Sequence, residues 1–325
     1  MNKMSSYLVK KNAVEIIYKV ARAVLLFGLC FLILQPLMDK LSVSFMAQED
    51  LYDATVIVIP RNFTTSNYQV AGDLMRYLPS LFQTILILLI SSVLQISACT
   101  LAAYGFARYK FPGKNLLFFC VMLIIVIPPQ TIMSSLYLNF RFFDIFGLIR
   151  LVSGRTINML ESVAGYWLLS ATGMGLKSGL YIFMLRQYFR GLPKELEEAA
   201  YVDGCGRFYT FARILLPDAM PMLTSCFLFS FVWQWTDTLF TRLFLTNYRM
   251  LSDALNRLSV NFLQYWSSLN FMGTGGTGLM GQPPQGYSDA IVATGMLLVL
   301  APLIVLYLVA QKAFVESLSQ TGIKM

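Results

Sequence analysis

The segment Gly191-Leu192-Pro193-Lys194-Glu195-Leu196-Glu197-Glu198-Ala199-Ala200-Tyr201-Val202-Asp203-Gly204, with Ile214-Leu215-Leu216-Pro217 after it, is a polar elbow between long apolar runs. Pro193 is suited to opening a helix, because it has no N–H to leave unpaired in the first turn. Glu195, Glu197 and Glu198 load that turn with negative charge, which the helix dipole favours. Ala199 and Ala200 keep one face thin, so another surface can approach closely. Gly204 can take the left-handed backbone that ends a helix and turns the chain. A second short helix over Cys205–Ile214 is expected next, with Pro217 marking entry into the following apolar run. Two short helices at an elbow form a docking element.

The chain around this elbow has 325 residues, of which 57% are hydrophobic and 13% charged, and its mean hydropathy is +0.62. Soluble domains carry about 25% charged residues. A water-soluble core of this length could not bury so much apolar surface, whereas a bilayer can. Six stretches are long enough to span hydrocarbon: Ile17–Met38, Leu81–Ala107, Asn115–Phe140, Ser162–Met184, Ala219–Phe240 and Ala290–Gln311. The first exceeds the roughly 7–15 residues of a signal-peptide core, so it reads as an uncleaved helix. Asp39–Pro79 and Thr246–Asp289 read as long outside loops. The first of them carries a β-like run, Ala54–Pro60, and the second ends in the Gly-rich stretch Gly273–Gly286, a flexible loop by composition.

Orientation follows from the basic residues. With the N-terminus inside, the inside segments hold five Lys and Arg in the N-terminal arm, three around Arg108–Lys114, five across Arg186–Arg213 and two at the C-terminus; each outside loop holds three. Both termini and the elbow are therefore expected in the cytoplasm. The same reading assigns the formal charge of +8 to basic loops at a membrane face and not to nucleic-acid binding.

Histidine is absent, and Cys30, Cys99, Cys120, Cys205 and Cys226 have neither metal-knuckle nor redox-pair spacing. No catalytic residue and no metal site are assigned. Gly113-Lys114 is followed by Asn115 and lacks the upstream glycine of a P-loop, so ATP hydrolysis is not expected in this chain. Apart from Lys19 and Arg22 in the first turns of Ile17–Met38, counted above with the N-terminal arm, only Lys177 and Asp237 are charged within the spans. Ion-coupled carriers keep ionisable groups or broken-helix ion sites at mid-membrane, so their scarcity points to another energy source. Lys177 is either a functional charge or a packing or snorkelling one; Asp237, near a helix end, reads as interfacial.

The elbow resembles the cytoplasmic coupling loop, or EAA loop, of ABC-importer permeases. That pattern is Glu-Ala-Ala, three residues, Gly, nine residues, then Ile-x-Leu-Pro. Glu198, Ala199, Ala200, Gly204, Ile214, Leu216 and Pro217 match each position and both gaps. At average residue usage the chance per start site is on the order of 10⁻⁸. Further matching pieces are Ala102-Ala103-Tyr104-Gly105-Phe106-Ala107-Arg108, Ile127-Pro128-Pro129-Gln130, Leu185-Arg186-Gln187-Tyr188-Phe189-Arg190 and Phe231-Val232-Trp233-Gln234-Trp235. The tail, Gln311–Leu318 with Gly322-Ile323-Lys324, is similar too, although Ser317 and Thr321 replace tail glycines; after the fifth-helix piece, Thr236 stands where the family usually has Asn. These pieces narrow the resemblance to carbohydrate-uptake permeases of the maltose-transporter type.

The resemblance implies an all-α, multi-pass membrane protein with six transmembrane helices, the type I ABC importer permease fold, in the inner or plasma membrane. Residues 1–80 would hold the N-terminal arm, first helix and long extracytoplasmic loop, and 81–325 the core permease with its coupling loop at 186–218. It implies a second permease subunit, two ATPase subunits that bind ATP and Mg, and an extracytoplasmic binding protein that delivers a sugar. No cofactor belongs to this chain itself. The ATPase-coupling residues would be Glu198, Ala199, Ala200, Asp203, Gly204, Ile214, Leu216 and Pro217. Candidates for the substrate path are Pro128, Pro129 and Gln130 at a helix break, and Tyr166, Trp167, Trp233, Gln234 and Trp235, whose rings and amide suit a sugar but equally suit packing. An ion-coupled secondary carrier or a membrane assembly factor would explain the helices but not the elbow.

Overall fold

Apolar runs that must satisfy each backbone N–H and C=O without water become helices. A computed structural model describes residues 2–322 apart from 54, 57, 146 and 274–281, with backbone alone at 2–14, 153, 270–273 and 313–322. Among the described residues there is no strand, only the isolated bridges Met46–Phe63 and Phe143–Ile157. The helices are α1 (Asn2–Ser44), α2 (Ser66–Met75), α3 (Tyr77–Arg108), α4 (Lys114–Val126), α5 (Pro129–Arg141), α6 (Leu148–Ser153), α7 (Val163–Ala171), α8 (Ser178–Gly191), α9 (Glu195–Val202), α10 (Arg207–Thr210), α11 (Leu216–Asp218), α12 (Met220–Thr236), α13 (Leu239–Phe244), α14 (Leu251–Gly273) and α15 (Gln285–Gly322). Among the described residues three helical segments, Glu15–Ser44, Tyr77–Arg108 and Gln285–Lys312, are long and apolar enough to cross a membrane; counting two bent pairs as single spans raises this to five.

The interruptions have local causes. Proline forces the residue before it out of the helical region, and Pro128-Pro129 does this twice: Ile127 (ψ 122°) and Pro128 (ψ 134°) are both extended. The apolar run expected as one helix is consequently two, α4 and α5, set at 108°. The next expected span is also divided. Gly173 at φ 70° closes α7 as its N–H meets Ser170 O and the Met174 N–H meets Leu169 O, a Schellman ending. Lys177, also at positive φ (61°), then opens α8. After α10 a π-helical turn, Phe211–Leu215, leads into α11, and this stretch joins α12 at a bend of 74°.

Two loop expectations change. Thr246–Asp289 contains a helix of 23 residues, α14, since its Leu, Phe and Tyr recur at helical spacing; most of the Gly-rich stretch lies outside the described residues. The run Ala54–Pro60 forms no strand in its described residues, because Asp53 captures the backbone N–H and hydroxyl of Thr55 at 2.9 and 2.6 Å. These bonds, with the lesser help of Arg61 at 2.8 Å, hold the Asp53 carboxyl below the usual carboxylate range.

The chain divides into two compact units. One comprises Met1–Leu74 and Leu258–Leu298. In it Asp50 accepts from the Asn62 N–H and side-chain amide at 2.7 and 2.8 Å, while Asn67 donates to Ser44 O and Met46 O. Phe262 and Trp266 pack edge-on against Tyr287. The other unit, Met75–Arg257 with the stretch from Val299, is organised around α3, which packs against α7, α8 and α12. Cys99, Ala103, Tyr181, Leu185, Leu215 and Cys226 form its fully buried centre.

Helix α4 closes on α8 at Gly179, where an added Cβ would lie 2.9 Å from Val121 O and 3.0 Å from Ile125 Cγ1. Gly179→Leu should therefore wedge the two helices apart at a cost of about 1–3 kcal/mol. Thermal unfolding of the purified protein should show a lowered midpoint, with Gly72→Ala, which meets open space, as the neutral control. An unchanged midpoint for Gly179→Leu would mean that these helices do not approach so closely.

Candidate functional site

The elbow is built by its own chain over seven or eight residues. Glu195, Glu197 and Glu198 occupy the first turn of α9, and Gly204 at φ 80° ends it. The Gly204 N–H reaches Tyr201 O at 3.1 Å and the Cys205 N–H reaches Ala200 O at 2.9 Å, so the last carbonyls are satisfied by a Schellman turn. Ala200 faces inward and is buried; Glu198, Ala199, Asp203 and Gly204 are exposed. Leu216 and Ile214 are half-buried and Pro217, in the short α11, is exposed. Val202 is 86% and Phe208 79% exposed, with Tyr201 and Tyr209 also open. An apolar face rimmed by carboxylates has the character of a protein-binding surface.

Of the three glutamates, Glu197 turns inward. Its Oε1 lies 2.9 Å from Arg108 Nε at the end of α3, and the two side chains are 12% and 8% exposed. The contact is an ion pair with the N–H off the line of a hydrogen bond. Arg108 Nη2 also donates to Leu192 O at 2.9 Å, so one guanidinium holds the start of α9 by side chain and backbone together. Beneath it Tyr104 packs on Phe211 (4.5 Å) and on Phe189 (5.7 Å), and the Tyr188 hydroxyl donates to Asp218 O at 2.8 Å. The elbow is thus anchored to α3 and α8 at several points. Arg108 and Glu197 were each visible in matched or charged segments, but no local pattern pairs residues so far apart.

Deeper in the same unit, Gln95 uses all four hydrogen-bonding positions of its amide. Nε2 donates to Leu176 O (2.8 Å) and Ser178 Oγ (2.7 Å) at the α7–α8 break. Oε1 accepts from Ser230 Oγ (2.7 Å) and Gln234 Nε2 (2.8 Å) on α12. Tyr166 donates to Gln234 Oε1 at 3.0 Å, and Ser91 meets Ser170 at 2.6 Å. Gly175 permits this approach, since an added Cβ would lie 2.9 Å from Gln95 Nε2. Gln95 escaped the sequence reading, although a glutamine inside an apolar span is a sign of a buried partner.

The candidates for the substrate path divide accordingly. Tyr166 and Gln234 belong to this network, and Trp235 is buried with its Nε1 on Val299 O at 3.2 Å. Trp167 is half-buried and donates to Ile87 O at 3.2 Å. Trp233 is different: it is 45% exposed, and Lys177 Nζ stands 5.0 Å from its ring centroid. Pro128, Pro129 and Gln130 form the corner between α4 and α5, with Pro128 and Gln130 exposed. Asp237 is buried in the protein, and its carboxylate accepts the N–H groups of Leu239, Phe240 and Thr241 at the start of α13.

Residues 95–320 match the family described as binding-protein-dependent transport system inner membrane component. The chain is similar to the maltodextrin transport system permease protein MdxG of Bacillus subtilis, 28% identical over 315 residues that cover 96% of this chain and 99% of that one. It is 34% identical over 186 residues to the alpha-glucoside transport system permease protein AglG of Rhizobium meliloti, covering 57% of this chain and 46% of that one. A solved structure of a bacterial ABC transporter involved in the import of the acidic polysaccharide alginate aligns with a TM-score of 0.70 at 18% identity, over 93% of this chain and 98% of that one.

Removing one partner of the Arg108–Glu197 pair should strand a nearly buried charge. Glu197→Gln should destabilise the protein by about 3 kcal/mol and raise hydrogen exchange across α9, whereas the double change Arg108→Met with Glu197→Leu should recover part of the loss. Equal destabilisation by the single and the double change would show that the pair does not hold the elbow.

Proposed function

The chain belongs to the family of binding-protein-dependent transport system inner membrane components, and we propose that it forms, with a second permease, the path by which an ATP-driven importer moves a sugar. The sugar class is supported by relatives named for maltodextrin and alpha-glucoside transport. The subunit itself carries no ATPase. Two partner ATPases bind ATP and Mg, and an extracytoplasmic binding protein delivers the substrate.

The observation that carries this reading is the elbow, a rigidly anchored docking element whose outer face is apolar and acidic. Glu198 meets a cation on the ATPase, and Ala199, Ala200, Asp203 and Gly204 let α9 lie in a cleft of that subunit. Ile214, Leu216 and Pro217 hold the second arm of the elbow. ATP-driven closure of the ATPases then displaces α9, and Arg108 passes that displacement to α3. Trp233 with Lys177, and the corner at Pro128, Pro129 and Gln130, are offered as substrate contacts; Tyr166, Trp167, Gln234 and Trp235 support them from behind. The sixth span is α7 with α8, in addition to the five accounted for by length and bent pairs. Both termini lie in the cytoplasm on the distribution of Lys and Arg.

The test of function is ATP hydrolysis by the assembled complex, with and without binding protein and sugar. Gly204→Val strains a backbone at φ 80°, by about 1 kcal/mol or more, and misplaces α10; Glu198→Lys reverses the docking charge. Both should abolish stimulated hydrolysis while leaving the chain inserted, and Trp233→Ala should raise the sugar concentration needed. Wild-type stimulation in the first two variants would sink the role of the elbow. For topology, reporters fused after Lys114 and after Lys194 should report the cytoplasm and those near Thr65 the outside; a reversed pattern would refute the orientation.

A further inference from the structure

Beside the elbow lies a cavity of about 410 Å³, lined by Arg108, Lys114, Arg186, Arg190 and Lys194 together with Ala107 and Asn115. Among the described residues no carboxylate lines it. Lys110 stands at its edge, sharing Lys114 and Asn115 with a neighbouring hollow. Arg108 is neutralised by Glu197, but among the described residues none of the other five cations forms an ion pair. Two of them are held in place by neutral groups. Lys114 Nζ donates to Tyr109 O at 2.8 Å, and the Arg186 guanidinium lies 3.8 Å over the Phe118 ring while its Nε donates to Phe106 O. Like charges gathered in a concavity repel one another unless an anion joins them. The first turn of α4, at Lys114–Leu116, adds its own partial positive charge.

The surroundings say what kind of anion fits. Immediately past the cations, α4 turns apolar, and Leu116, Leu117 and Phe119 are all exposed. This helix is part of a bent pair that is apolar enough to cross a membrane. Cations at the mouth and bare aliphatic and aromatic surface below reproduce, in complement, the layout of a phospholipid: phosphate above, acyl chain beneath. We propose that this cavity binds the phosphate headgroup of an anionic phospholipid in the leaflet on the elbow side, with an acyl chain along α4. Arg186, Arg190 and Lys114 hold the phosphate, and Lys110 and Lys194 flank it. The site borders Arg108 and the start of α9, so bound lipid would brace the base of the elbow.

The test is native mass spectrometry of the whole membrane complex purified through this chain and titrated with phosphatidylglycerol or with phosphatidylcholine of matched acyl chains. The wild type should retain phosphatidylglycerol selectively. Combining Lys114→Gln with Arg190→Gln should lower that retention roughly thirtyfold, taking about 1 kcal/mol for each basic side chain near an anionic surface. Arg190→Lys alone should retain most of it, and an unchanged elution volume should show that the variants fold. Equal retention by wild type and double variant, or no preference over phosphatidylcholine, would overturn the proposal. So would displacement of the lipid by a few millimolar inorganic phosphate, which would mark a free-anion site. Loss of the ATPase subunits from the double variant with lipid retention intact would instead assign the cations to a protein contact and equally overturn it.

Discussion

The amide of Gln95 sits fully buried on α3, in a span where water cannot complete an unfinished hydrogen bond. An unsatisfied polar group in such a place costs several kcal/mol, so the surrounding helices are constrained to bring it partners. Leu176 and Ser178 come from one side, Ser230 and Gln234 from the other, and Tyr166 completes Gln234 in turn. The arrangement works only with the helix interrupted between α7 and α8, because the Leu176 carbonyl must be free to accept. A polar network of this kind fixes register among apolar helices that would otherwise slide against one another.

The same helix carries that constraint to the elbow. α3 is 32 residues long, about 48 Å of continuous helix, and roughly 20 Å of it separates Gln95 from Arg108. At its end the guanidinium takes hold of Glu197 and Leu192 O, while Tyr104 packs under the π-helical turn through Phe211. A surface fixed to a stiff helix moves that helix when it is moved.

The breaks in the other helices are what distinguish this bundle from a plain set of spanning rods. Pro128-Pro129 turns one run through 108°, and the π-helical turn precedes a bend of 74° into α12. Lys177 takes a positive φ at the third interruption, a backbone state that bulky residues seldom hold. Its ammonium lies over the exposed ring of Trp233, so the strained residue and the open aromatic belong to one place.

Local stereochemistry made part of this readable from residues alone. The start of α9 at the acidic turn after Pro193, its end at Gly204, and the break at Pro128-Pro129 depend on groups within a few residues of one another, and the chain order supplies them. The continuous apolar spans around Ile17–Met38, Leu81–Ala107 and Ala290–Gln311 were legible for a similar reason, since length and hydropathy are additive along the chain. The inward turn of Glu197 rather than Glu198, the burial of Trp235 beside the exposure of Trp233, and the four partners of Gln95 were not legible. Each depends on which distant helix comes within reach, as Arg108 does for Glu197 and Ser230 for Gln95. In a helix apolar on all sides, the face toward lipid and the face toward protein carry the same kind of residue, so periodicity has no polar side to mark and only packing assigns the faces.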